Sequence, residues 1–161
     1  MATRIGQTAS EIVVTDIFTD FEKYVGAIDP DTYIGSHPAV LLPDGADTLV
    51  YGYIMIPKNF HTLTSAHVII VPAASGNMRR SISTTWGVLG AAEDYNIDTG
   101  SIVAGQVAVT QNRLESIDIS AALIDIAAND LVGFTFTREG SNVNDTVNAD
   151  CYYLGGRIRY V

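Results

Sequence analysis

Three histidines, one cysteine and eighteen carboxylates are the groups from which this 161-residue chain could build a reaction. His37, His61 and His67 form no HxH or HxxxH pair that would set two imidazoles on one face for a metal. His67 lies in an apolar run, where a hydrogen-bonded interior or interface imidazole is expected, while His37 and His61 stand in loop sequence. Cys151 is the sole cysteine, so no internal disulfide forms, and in an alternating segment it reads as a small filler. The chain carries no G-x-S-x-G elbow, P-loop or G-x-G-x-x-G; "GVLGAAE" at 87–93 has two glycines three apart without the dinucleotide pattern. Asp29/Asp31 and Asp44/Asp47 lie close together, but neither pair has the spacing and terminal Glu of an EF-hand. Asn144-Asp145-Thr146 is a formal glycosylation sequon; "MATRIGQTASEIVV" has neither the basic start nor the apolar stretch of a secretory signal, so the sequon is expected to be coincidental. The expectation is a protein with no catalytic residue, no metal and no cofactor, hence not an enzyme.

The densest polar constellation is "TREGSNVNDTVNAD", 137–150. Arg138 closes an alternating segment, and Asp145 and Asp150 follow in a loop before the last strand. A guanidinium at a strand end can hold such a loop by a bidentate bond to a carboxylate. Asp145 or Asp150 is the expected partner, and the role is structural. A second use of side chains is sugar recognition, which favours exposed aromatics flanked by amides and carboxylates. Tyr33, Tyr95 and Tyr153 are the candidates.

Strands must position these groups. "TLVYGYIMIP", "TSAHVIIVP", "RRSISTTWGVL", "SIVAGQVAVTQ", "RLESIDIS", "LVGFTFTR" and "CYYLGGRIRY" follow one another with Gly, Pro, Asn and Asp between them. Strict alternation groups Ile82, Thr84, Trp86 and Val88 on one face; Val103, Gly105, Val107 and Val109 on another; and Val132, Phe134 and Phe136 on a third. In the last segment it groups Tyr152, Leu154, Gly156, Ile158 and Tyr160. "AALIDIAAN" is either a helical turn or a strand. Ahead of these, Glu11–Val14 reads as an edge strand. Ile17, Phe18, Phe21, Tyr24 and Val25 recur at helical spacing, which suggests a short helix or an irregular arm. The fold expected is all-β: a β-sandwich, in jelly-roll form, of about eight antiparallel strands with an N-terminal arm. Residues 1–45 supply the arm and first strands, and residues 46–161 supply the sandwich of a single domain.

Composition sharpens the question of partners. Charged residues are 17% of the chain, hydrophobic ones 47%, and mean hydropathy is +0.20. Either a large core absorbs that apolar surplus or neighbouring subunits cover part of the surface. The net charge is −9, with cation pairs only at Arg79/Arg80 and Arg157/Arg159, which argues against nucleic acid. No apolar run is long enough to span a bilayer. The segment "LVYGYIMI" is apolar on both faces: Leu49, Tyr51, Tyr53 and Met55 on one, Val50, Ile54 and Ile56 on the other. A lone sandwich wets one face of each sheet. Cover by the N-terminal arm or by another subunit explains the second face.

Several short motifs carry a family resemblance. The Arg-terminated strand, the Asp/Asn loop with "DT", and the closing "YYLGGRIRY" resemble the end of small β-sandwich proteins from the particles of tailed bacteriophages. "YIMIPKNF", "TTWGV" and "AANDLVGFTFTRE" are similar to upstream parts of the same proteins. The resemblance spans about Leu49 to Val161; Asn142 and Asn144 replace acidic residues usual in that loop. It implies a non-enzymatic viral structural protein on the virion surface, a homotrimer that decorates or cements the capsid. The partners would be further copies of itself and the major capsid protein or another virion protein. The alternative is a glycan- or receptor-binding module of a tail or head fibre. The contacts expected are Leu49, Tyr51, Tyr53 and Met55, or the N-terminal Ile12, Val14, Ile17 and Phe18. With the last strand held in the sandwich, the N-terminal arm would be the element left to grip a neighbour.

Overall fold

The computed structural model describes residues 15–19, 23–25 and 31–161, with side chains from residue 32 onward. Its strands are β1 (Thr15–Thr19), β2 (Lys23–Val25), β3 (Asp31–Ile34), β4 (His37–Leu42), β5 (Asp47–Met55) and β6 (Leu63–Pro72). They continue with β7 (Gly76–Val88), β8 (Asp98–Val109), β9 (Glu115–Asp118), β10 (Asp130–Glu139) and β11 (Cys151–Tyr160). One sheet runs β3-β4-β11-β6-β9, with β1 also on β11; the other runs β2-β5-β10-β7-β8. Every pairing is antiparallel. From β4 to β11 the chain winds between the sheets so that β4-β11-β6-β9 faces β5-β10-β7-β8. That order is the double Greek key of a jelly roll.

The core between the sheets is built by period-two burial. Val50 and Ile54 enter it from β5, with Ile56 just past that strand's end, Val132, Phe134 and Phe136 from β10, and Ile82, Thr84 and Trp86 from β7. Val40 and Leu42 of β4 meet them from the opposite sheet, so the sandwich takes in a strand that precedes Ala46. The rings of Phe136 and Tyr153 lie 5.5 Å apart across the core. The "AALIDIAAN" stretch is one 3-10 turn, Ser120–Ala122, followed by loop. Its Ala122, Leu123 and Ile126 plug the core, and the Ala122 carbonyl accepts the buried Thr84 hydroxyl at 2.6 Å.

Two bulges overturn two of the alternation groupings. Arg80 pairs with Gly105 and Ile82 with Ile102, so β8 holds one residue more than β7 over that interval. The extra residue swings Val103 out, 83% exposed, and brings Ile102 against the core. In β11 the register shifts between Tyr153 and Gly155. Cys151 and Tyr153 therefore point inward ahead of the bulge, Ile158 and Tyr160 after it, and Leu154 does not join their face. The helix or irregular arm expected from Ile17 to Val25 is also corrected. Residues 15–19 pair along β11, and residues 23–25 pair along β5. Sheet edges that need backbone partners outweigh a helical spacing of five apolar residues. The edge strand expected at Glu11–Val14, with the contact candidates Ile12 and Val14, lies outside the described residues.

Candidate binding groove

The inward phase of β5 and β10 fixes what their outer faces carry. On β5 that face holds Leu49, Tyr51, Tyr53 and Met55; the last three are 37%, 50% and 40% exposed, and Leu49 is half-buried. Beside them β10 presents Leu131, Gly133, Thr135 and Thr137, in register with Met55, Tyr53, Tyr51 and Leu49. Next comes β7 with Gly87, Thr85, Ser83 and Ser81. The outer face thus grades from an aromatic and aliphatic strip on β5 to a low floor of Gly, Ser and Thr.

A wall rises beyond that floor. The connection from β7 to β8, residues 89–97, folds back over the sheet through left-handed turns at Gly90 and Ala92. It is tied down by Leu89 N–H on the Asn129 carbonyl (3.1 Å), Val88 N–H on Glu93 Oε2 (3.2 Å) and Ile97 N–H on the Asp94 carbonyl (3.2 Å). Gly87 permits this approach, since a Cβ there would stand 2.5 Å from the Asp94 carbonyl oxygen. Between this wall and Tyr53 lies an open groove of about 540 Å³. Tyr53 and Leu131 form one side, Gly133, Thr85 and Gly87 the floor, and Leu89, Glu93, Asp94 and Tyr95 the other side. Tyr95 is 79% exposed at the rim. At Gly133 a Cβ would meet nothing nearer than the Thr85 hydroxyl at 3.6 Å, so its absence leaves open volume in the floor.

Arg138 does structural work at the other end of β10. Its side chain is wholly buried. Nε and Nη2 bind Asp145 Oδ2 and Oδ1 at 3.2 and 3.0 Å, a bidentate pair; Nη1 donates to the Leu42 and Ala149 carbonyls and Nη2 to that of Val147. All five guanidinium N–H groups are therefore used. Burial opposes the Arg138 charge, yet the hydrogen bonds and charge of Asp145 carry its pKa above the ordinary value. Asp150 is not part of this clamp. Its Oδ1 accepts the Asp44 N–H at 2.9 Å, so it anchors the turn between β4 and β5 instead. The second carboxylate near the guanidinium is that of Asp44, at 3.9 Å.

The remaining candidates scatter. Tyr153 is buried in the core and cannot stack on a sugar, because the bulge places it inward; Tyr33 is exposed on β3, in the opposite sheet. Ile17 and Phe18 lie on β1, opposite Ile158 and Arg157 of β11. Among the described residues no group of three or more His, Cys, Asp or Glu is placed to hold a metal. Glu93, Asp94, Gly87 and Gly133 were not singled out as site residues from sequence. Gly133 and Gly87 flank Leu131 and Thr85 in neighbouring strands, a relationship set by register across 46 positions of chain.

No known protein family matches the chain, nor does any curated protein. Solved structures similar to it include the following two. One is a carbohydrate-binding module, CBM36, in complex with calcium and xylotriose, at 12% identity and a TM-score of 0.44 over 90% of this chain and 98% of that one. The other is the enzymatically active domain of tailspike protein 4 of bacteriophage CBA120, at 9% identity and a TM-score of 0.43 over 90% of this chain and 19% of that one.

Proposed function

We propose that this protein is a non-catalytic glycan-binding module of a virion surface structure, with its ligand lying in the groove between Tyr53 and the β7–β8 connection. The single observation that carries the reading is the composition of that groove: tyrosines at two margins, a Gly/Thr floor and carboxylates on one wall. A pyranose ring presents a C–H face that packs on an aromatic ring and hydroxyls that bond carboxylates and Thr hydroxyls. Most enzymes that hydrolyse glycosidic bonds use two carboxyl groups flanking the bond. Here Glu93 and Asp94 are neighbours on one wall, and the facing side offers Tyr53 and Leu131. That arrangement supports binding without cleavage. The virion setting rests on the phage-protein resemblance from Leu49 to Val161.

A screen of the purified chain against immobilised oligosaccharides tests this. Binding is expected, and Tyr95→Ala should weaken it about fivefold or more, as loss of one aromatic contact implies. No binding to any oligosaccharide would overturn it.

A second reading has its own observation. Tyr51, Tyr53, Met55 and Leu131 form a half-exposed apolar row along two paired strands. Such a strip suits a subunit interface, as in a homotrimeric decoration or cement protein held to a capsid by buried apolar surface. A solution mass of three subunits would favour it.

A further inference from the structure

We infer that the groove selects its glycan by charge: it admits uncharged and amino-sugar chains and rejects acidic ones such as uronates and sialylated glycans. This rests on the glycan-binding reading and adds the substrate class.

Charge is distributed unevenly around the groove. Glu93 and Asp94 are exposed on its wall, and no lysine, arginine or histidine lines it among the described residues. Arg79, farther along the outer face of β7, is neutralised by Glu139, its Nε 2.6 Å from Oε2. Lys23 of β2 stands at the register position opposite Tyr51, two residues along β5 from Tyr53. The whole chain adds a net −9. An anionic sugar entering would meet two carboxylates at close range without a compensating donor of positive charge. A carboxylate of a ligand binds well where Arg or Lys awaits it, and poorly where it must lose its water beside like charge. Neutral hydroxyls are natural donors to Glu93 and Asp94. A protonated amine donates to the same oxygens with added Coulombic attraction.

The test uses the intact chain on an array of hexose, amino-hexose, uronate and sialylated oligosaccharides at low and at high salt. Binding confined to uncharged and amino-sugar chains is expected, with acidic chains at least about fivefold weaker and the amino-sugar advantage shrinking as salt screens it. In a Glu93→Gln, Asp94→Asn double variant, neutral chains should bind more weakly than to the wild type, since an amide oxygen accepts a hydroxyl less strongly than a carboxylate, while the ratio of neutral to acidic affinity falls toward one. Gln keeps the oxygen that accepts the Val88 N–H, so the wall stays tied. Acidic chains binding as tightly as neutral ones, or a charge order unchanged in the double variant, would overturn the inference while leaving the glycan reading intact. An array silent to every chain overturns both.

Discussion

Arg138 Nη2 and Asp145 Oδ1 lie 3.0 Å apart, and neither side chain is exposed to solvent. The pair joins the end of β10 to the loop before β11. Asp145 also accepts the backbone N–H groups of Arg79 (3.0 Å) and Val147 (3.2 Å), so one carboxylate binds three segments. Removing a single partner strands a buried charge. Asp145→Ala should lower unfolding stability by about 3–5 kcal/mol. Arg138→Lys should also destabilise, since an ammonium cannot reproduce five directed bonds. Urea midpoints measure both; a loss under about 1 kcal/mol for Asp145→Ala would show that water reaches and compensates the guanidinium.

Gly133 separates binding from folding. Its missing Cβ faces open groove, and β-branched residues suit strands better than glycine. Gly133→Val should therefore leave the thermal midpoint equal or higher while reducing oligosaccharide affinity about tenfold or more by filling the floor. Unchanged affinity, read by calorimetry, would place the ligand elsewhere.

Cys151 gives a pH signature. Burial pushes its thiol up to about 11 from an ordinary 9.0; Arg138 nearby works in the opposite sense. The folded state thus keeps its proton where the unfolded chain loses it. The contribution is complete below pH 9 and is lost as pH rises toward 11, on the order of 2 kcal/mol. Buried Tyr153, also raised by desolvation, acts in the same direction at higher pH. The stability advantage of the wild type over Cys151→Ala should shrink between about pH 8 and about pH 10.5. A constant difference would mean the thiol titrates alike in both states.

The apolar row on β5 separates the two functional readings. The chain has a mass of 17.3 kDa. Light scattering behind a sizing column should give a trimer only if that row is an interface, and Tyr53→Glu should then yield monomers. A monomeric wild type leaves the row open to ligand. A trimer unaffected by Tyr53→Glu would exclude this face as its interface.

Much of the fold is legible wherever alternation runs unbroken. Val132, Phe134, Phe136 and Arg138 enter the core in the order the sequence implies, because β10 is flanked on both sides by regular partners. Val103 and Leu154 mark where such reading fails: a bulge adds one residue and inverts every later side chain, and its local signal is a strand-interior glycine beside it, Gly105 in β8 and Gly155 in β11. Arg138 was recognisable from its place at a strand end, and Asp145 from its loop, but choosing Asp145 over Asp150 required the path of that loop. The groove was the least legible part. Tyr53 and Tyr95 stand out as aromatics, whereas the floor depends on Gly133 and Gly87 becoming neighbours through strand register.

The most direct test of glycan binding is a map of backbone amide shifts during titration with a neutral oligosaccharide that binds on the array. Binding in the groove predicts the largest shifts at Thr85, Gly87, Gly133 and Glu93, with β6 and β11 of the opposite sheet unmoved. Shifts centred on the opposite sheet, or none at saturating ligand, would contradict it.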